Sequence, residues 1–382
     1  MHPRHRLAAA ALCTDLGLYL LMLSLPYRLL DASASSAVLG TVPFLYAGPY
    51  ALVALFAGRF SDRFPRRAPI RAGTALAVAA AAGLSAVDST PWILALVPCL
   101  GIGLGFFWPS LQAGFSEVSH GHDLHRLTGL FNVSWSIGKG LGLVGGGWLL
   151  VSIGASGTSI AAALAFATSF AVLPRMPRPG DHAEALAADA DAPPPDVQRA
   201  FRRAAWIANG MAFGVAATIN HHLPKLLLPH GLGAREVGLF LGLVFLAQTV
   251  LFVTIGPRRG WHFRALPLIA LQGVLALVTL ALTFVADFTV LLFLAPLIGL
   301  TLGFSYQSSL YYSLHAPVDR GAQAGVHEAA LGSASAIVPV LGGLAVASTG
   351  ATAPFVVAAV VIAGSAVFGA TTILRTRRRP PR

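Results

Sequence analysis

Residues 58–67 read Gly58-Arg-Phe-Ser-Asp62-Arg63-Phe-Pro-Arg66-Arg67, an arginine-rich decapeptide set between two long apolar runs. A charge at the centre of a bilayer costs about 2.5–3.5 kcal/mol even on the lenient insertion scale. Four arginines and an aspartate within these ten residues therefore fix the stretch in water. The runs on either side, about 37–58 and 68–87, are each close to the roughly 20 residues that a helix needs to cross the hydrocarbon. The segment reads as a short turn between two spanning helices, and the rest of the chain repeats that design.

Apolar runs fall at about 7–30, 37–58, 68–87, 92–115, 127–151, 157–174, 203–228, 236–256, 265–286, 288–312, 322–348 and 352–374, which makes twelve. Of the 382 residues 55% are hydrophobic and 11% charged, against roughly a quarter charged in a soluble domain. A soluble enzyme, a disordered chain and a collagen-like chain are excluded. Cys13 and Cys99 sit inside apolar runs, so neither a disulfide framework nor a cysteine zinc site is expected. No metal or cofactor is expected. The first run lacks a small-residue cleavage pattern at its end and is read as a span, not a leader.

The net charge is +11, and the bases cluster between the apolar runs. That is a topology signal, and no nucleic-acid partner is implied. With both termini in the cytoplasm, 22 arginines fall inside, Arg28, Lys225 and Arg235 fall outside, and Lys139 lies within a span. The polar stretch 175–202 carries five prolines and five acidic residues, the composition of a flexible linker without a packed core. The expected organisation is a six-helix bundle over 1–174, a cytoplasmic linker over 175–202, and a second six-helix bundle over 203–382 with a short basic tail.

The two halves echo each other. Pro26 with Leu29-Leu30 recurs as Pro224 with Leu227-Leu228, Gly58 as Gly256, and Gly105-Phe106 as Gly303-Phe304, all offset by 198. Gly129 then matches Gly325, and Gly146-Gly147 matches Gly342-Gly343, offset by 196. Two similar halves joined by a linker are the repeat pattern of many secondary transporters, whose substrate site lies between the halves near the midplane.

The decapeptide also resembles the signature cytoplasmic loop of the major facilitator superfamily: Gly, three residues, Asp, a base, two residues, a basic pair. Pro65 stands where that family usually has Gly. The resemblance covers essentially the whole chain and is closest to bacterial twelve-helix efflux and antiporter members. It implies an all-α membrane protein of twelve transmembrane helices in two pseudo-symmetric bundles. It also implies that Gly58, Asp62, Arg63, Arg66 and Arg67 form a latch between the halves. In the fifth span Gly138, Gly142, Gly146 and Gly147 resemble the family's antiporter motif, with Leu143 in place of its proline. The repeat mate in the eleventh span keeps Pro339 with Gly342 and Gly343. Small residues at this spacing let helices pack closely and pivot. The fourth span lacks the arginine usual in proton-coupled drug exporters, which weakens that narrower assignment.

Few charged groups lie inside the spans. Asp15 is nine residues past Arg6, roughly 13 Å up the first span at 1.5 Å per residue. Glu328, with His327 beside it, is eight residues past Arg320, or about 12 Å up. Lys139 is thirteen residues past Arg126, or roughly 20 Å. Asp15, Glu328 and His327 are the candidates for proton coupling; a structural pair of Asp15 with Lys139 is the alternative. Tyr19, Trp108, Gln112, Asn132, Trp135, Lys139, Asn209, Asn220, Tyr306 and Gln307 are the candidates for a substrate cavity. His221 and His222 read as a wet rim, not a metal site.

No nucleotide-binding loop, no serine–histidine–acid set and no zinc pattern is present, so the chain reads as a carrier and not an enzyme. The expected function is secondary transport of a small organic molecule across the plasma (inner) membrane by alternating access, proton-coupled and directed outward, by a monomer in the lipid bilayer. Uptake of an anionic metabolite with Lys139 as counter-charge is the alternative, and lipid flipping or a non-transporting sensor on the same fold are others. A reporter fused within 175–200 or after Arg382 should read cytoplasmic; a periplasmic signal at either place contradicts the topology.

Overall fold

The computed structural model describes residues 2–61, 66–117, 124–174, 193–255, 258, 260–314 and 320–377. Among them the chain forms eleven α-helices and no strand. They are α1 (Pro3–Asp31), α2 (Ser36–Ser61), α3 (Arg67–Ser85), α4 (Thr90–Glu117), α5 (Leu124–Val172), α6 (Pro195–Leu227), α7 (Ala234–Ile255), α8 (Ala265–Ala281), α9 (Phe288–Leu314), α10 (Arg320–Thr349) and α11 (Ala353–Arg377). Nine of these described helices are long and apolar enough to cross a membrane; α8 is shorter and α6 more polar. Large apolar side chains such as Phe284, Phe293 and Leu266 point outward, as lipid contact requires.

The expected count of twelve separate helices is corrected at one place. The fifth and sixth runs form a single element, α5, broken at Gly154 with φ 73° and ψ −177°. That conformation is open to glycine almost alone. No proline or charged residue interrupts 150–160, so the backbone ladder resumes at once. The two arms nevertheless pass α1 in opposite directions. Gly138, Gly142 and Gly146 meet Leu12, Leu16 and Leu20 in rising order. On the second arm, Ala162 lies against Gly17, Ser169 bonds Thr14, and Val172 accepts from Arg6. The chain reverses at Gly154. The start of α6 also differs from expectation: residues 195–202, read as linker, form its first turns, while 175–192 lie outside the described residues.

Arginines close two helix ends. Arg6 donates to the carbonyls of Val172 and Leu173 at 2.8 and 3.3 Å. Arg28 donates to Leu84 and Val87 beyond α3 and lies 3.6 Å from Asp88. A cation there meets the orphan carbonyls and the negative end of the helix dipole.

The repeat in the sequence is a repeat in packing. In the first half the α1–α5 crossing is made by glycines of α5: a Cβ at Gly138 would sit 2.3 Å from the Leu12 carbonyl oxygen, and at Gly142 2.6 Å from that of Leu16. In the second half the equivalent α6–α10 crossing uses glycines of the other partner, Gly210 against Ala330 and Gly214 against Ala334 and Val338. The same close approach is reached with the small residues exchanged between the two helices. Contacts between the halves run through α2 with α10 and α5 with α7. Gly147 lies against Ala234, Gly40 against the Pro339 carbonyl, and Gly343 against the Ser36 carbonyl. These contacts gather where α2 and α7 begin, here termed the far face; the face where α1, α5, α6 and α10 begin is the near face. Gly342 packs within its own half, against Pro354.

Gly138→Leu should destabilise the protein by about 1–3 kcal/mol through overpacking, read as a lower thermal midpoint. Gly129→Ala, inside α5 where an added Cβ meets nothing within 4 Å, should raise the midpoint slightly through its better helix propensity. Equal midpoints for the two variants would contradict this packing.

Candidate functional site

A cavity lies between the halves, walled by α1, α2, α4 and α5 on one side and α6, α7, α9 and α10 on the other. It encloses about 130 Å³, room for several waters. Its walls are mainly apolar, with nine phenylalanine, tyrosine and tryptophan side chains among them. Trp108 packs edge-on to Phe131 at 5.9 Å, and Trp135 packs against Tyr306 at 4.9 Å and Phe252 at 5.5 Å.

Lys139 stands in the middle of this space. Its ammonium lies 4.1 Å from the ring centre of Phe245, 4.2 Å from Tyr19, 5.1 Å from Phe213 and 6.0 Å from Trp135. The residue is 4% exposed. Ring faces attract a cation through their quadrupoles, which offsets part of the cost of burial without neutralising the charge. Asp15 lines the same cavity, but among the described residues no ion pair within 4.0 Å joins it to Lys139. The helix positions explain the geometry. Gly138 and Gly142 flank Lys139 and seat α5 directly on α1, so the long side chain lies along the ring of Tyr19.

Glu328 is placed differently. Tyr50 donates its hydroxyl to Oε2 at 2.7 Å, and Gln112 donates Nε2 to Oε1 at 2.7 Å. Tyr50 is on α2 and Gln112 on α4, so one carboxylate of the second half is tied to two helices of the first. A second bond between the halves answers it: Asn132 of α5 donates Nδ2 to Oε1 of Gln307 on α9 at 3.0 Å, while Trp135 donates to Asn132 Oδ1 at 3.3 Å. Asn132 and Glu328 are repeat mates at the offset of 196. The two crossings are therefore pseudo-symmetric, with an amide in one half where the other has an acid.

His327 lies behind this wall, fully buried. Its Nδ1 meets Ser309 Oγ at 2.7 Å and Asn209 Nδ2 at 3.5 Å, and its Nε2 is 3.9 Å from Glu328 Oε1.

Of the residues expected in the cavity, Tyr19, Trp108, Gln112, Trp135 and Lys139 line it with Asn220 and Tyr306, as do Asp15 and Glu328. Asn132 and Gln307 bond one another beside it, and Asn209 serves His327. Two expectations change. His221 and His222 are each 3% exposed, not a wet rim: His221 lines the cavity, and His222 Nε2 lies 3.0 Å from the Pro339 carbonyl of α10. Their helix turns this segment inward, which a count of residues from the span's end does not show. Sequence reading also missed Tyr46 and Tyr50 of α2, whose rings stack at 6.1 Å. Two tyrosines four residues apart in an apolar run share a helix face, and that was the available signal. For Phe213 and Phe245, among 22 phenylalanines, there was none. Asp62 and Arg63 lie outside the described residues, and Gly58 is described only as part of α2. Arg66 is buried and Arg67 opens α3.

The family model of the Major Facilitator Superfamily matches residues 7–317. The chain belongs to the major facilitator superfamily. Its fold is similar to that of the human organic anion transporter MFSD10 (TETRAN), solved by crystallography, with a TM-score of 0.70 over 97% of this chain and 100% of that one at 16% identity. No curated protein matches the chain in sequence. As a member of this superfamily the chain is a multi-pass membrane protein and a secondary transporter of a small-molecule substrate.

The bridge between the halves of this transporter is open to a double-mutant cycle. Tyr50→Phe and Glu328→Met, alone and together, should show a coupling of about 0.5–3 kcal/mol in thermal or denaturant unfolding, since each removes the other's partner. Additive effects would mean that the 2.7 Å contact contributes nothing.

Proposed function

We propose that the chain makes twelve crossings, with both termini in the cytoplasm of a plasma membrane, and as a monomer carries a small amphipathic organic anion together with a proton. The observation that carries this reading is the ammonium of Lys139, buried in the cavity among four rings with no carboxylate within 4.0 Å among the described residues. Such a cation demands an anion, and the aromatic walls supply the contact for an apolar body. The fold relative's printed name, an organic anion transporter, supports the same substrate class.

Charge balance supplies the coupling. Asp15 and the substrate share one cation. A substrate carboxylate beside an ionised Asp15 leaves excess negative charge in a poorly solvated space. The anion therefore enters as Asp15 takes up a proton, and the two travel together. Glu328 is the second coupling candidate: its protonation removes one acceptor from the bridge to Tyr50 and Gln112 and loosens the halves from each other. His327 orients behind it. This favours uptake over the outward, proton-exchanging transport that the sequence put first, because exchange against protons suits a cationic substrate and Lys139 repels one. The loop of Gly58, Asp62, Arg63, Arg66 and Arg67 is the proposed latch at the near face, and the far-face glycine contacts are the seam that opens in the opposite state.

Proteoliposomes loaded and bathed with labelled 3-phenylpropanoate test the proposal. Wild-type protein should show counterflow, and accumulation under an inward proton gradient. Lys139→Gln should lose both at least tenfold, the scale of one buried charge-assisted contact. Asp15→Asn should keep counterflow and lose accumulation. Wild-type rates in Lys139→Gln would refute the anion reading; extrusion driven by the same gradient would refute the direction.

A further inference from the structure

The far end of the cavity carries a second set of polar groups, and their state follows from a pair of prolines. Pro26 in α1 and Pro224 in α6 are repeat mates, each inside its helix. A proline has no N–H, so it releases the carbonyl four residues earlier. The released carbonyls belong to Met22 and Asn220, again repeat mates at 198. They are not met in the same way. Asn220 donates Nδ2 to the Met22 carbonyl at 3.0 Å across the two halves. That bond settles the amide's orientation, because a carbonyl accepts only from the NH₂ side. The other side-chain atom, Asn220 Oδ1, is buried with no partner among the described residues, and so is His221 Nδ1 beside it. Both residues line the cavity and are 8% and 3% exposed. Asn220's own backbone carbonyl has lost its in-helix donor to Pro224.

A buried acceptor without a donor costs about 1–3 kcal/mol, a cost that Asn220 carries at the inward face while its Nδ2 holds the Met22 carbonyl. Leucine would remove that cost but leave the Met22 carbonyl without its donor. The fixed free atom is an acceptor, so what completes it is a donor. Seven residues of α6 separate Asn220 from Phe213, which stacks under the Lys139 ammonium, or roughly 10 Å at 1.5 Å per residue. An acceptor at one end and a caged cation at the other, with the apolar Ala216, Ala217 and Ile219 between them on α6, describe a two-ended site.

We infer that Asn220 Oδ1, assisted by His221 Nδ1, is a second recognition point that takes a hydroxyl or N–H donor on the apolar body of the transported anion, so that the substrate class is a hydroxylated or amino-bearing aromatic or cyclic carboxylate. This rests on the anion reading above and adds the donor to it. The histidine ring can present either a lone pair or a proton at Nδ1, which lets it meet a hydroxyl that donates to Asn220.

Isothermal titration of the purified, detergent-solubilised full chain tests it with two probes that differ by one hydroxyl: 3-phenylpropanoate and 3-(4-hydroxyphenyl)propanoate. Wild-type protein should bind the hydroxylated probe about tenfold more tightly. Asn220→Leu should bring the two to equal affinity. Since Asn220 also holds the Met22 carbonyl, His221→Phe is the second variant; it keeps that bond and should reduce the preference by at least threefold. Equal affinity of the two probes for wild-type protein, or a preference unchanged in both variants, overturns the second recognition point while the anion reading stands. If neither probe binds, the anion reading falls and the inference falls with it.

Discussion

A bilayer core has no water to pair with a backbone carbonyl or to solvate a charge, so every such group must be met by another part of the protein. That constraint orders most of what is seen here. It explains why arginines at the helix ends reach back to free carbonyls, Arg6 to Val172 and Arg28 to Leu84. It explains why the carbonyl that Pro26 releases at Met22 takes a bond from Asn220 of the opposite half. It also makes close helix contact valuable. Without a hydrophobic drive between helices, packing and interhelical bonds hold them, and the glycines of α5 and α6 bring backbones close enough for both.

Against that background the interior charges stand out because each is met in a different way. Glu328 receives two donated hydrogen bonds from the opposite half. Lys139 is met by ring faces and by the charge of Asp15 beyond 4.0 Å. Asp15 faces the cavity with that charge as its partner. A hydrogen-bonded acid between the halves and a cation without a close ion pair among the described residues are what a carrier needs, since the first ties conformation to protonation and the second ties occupancy to charge. The pseudo-two-fold supplies the scaffold by repeating one crossing. The asymmetry within it, Asn132 against Glu328 and Met22 against Asn220, supplies the chemistry.

The fold was legible because it rests on length and composition. Apolar runs of spanning length, clustered arginines and the Gly58–Arg67 loop are read without knowing any contact. What misled was the sixth run: a single glycine, Gly154, reverses the chain with no polar loop, so two spans share one helical element. The site was legible where a residue type is out of place in hydrocarbon, as Asp15, Lys139, Glu328 and Gln112 are. It was not legible where the residue is ordinary. Phe213 and Phe245 matter only through their distance to Lys139, and Tyr50 only because α2 approaches α10 through Gly332, against which Ala47 and Ala51 pack. His221 looked like a rim group from its place in the run, and only the rotation of α6 brings it inward.

The chain has just two lysines, Lys139 and Lys225, which makes the caged ammonium directly observable. Protein grown with ε-¹³C-labelled lysine should give two methylene carbon–proton signals. One, at the ordinary position, belongs to the half-buried Lys225. The other should be displaced upfield by the ring currents of Tyr19 and Phe245, should vanish in Lys139→Arg, and should move when 3-phenylpropanoate is added while the Lys225 signal stays. Two signals at the ordinary position, both unmoved by the anion, would mean that Lys139 is neither caged nor the group that meets the substrate.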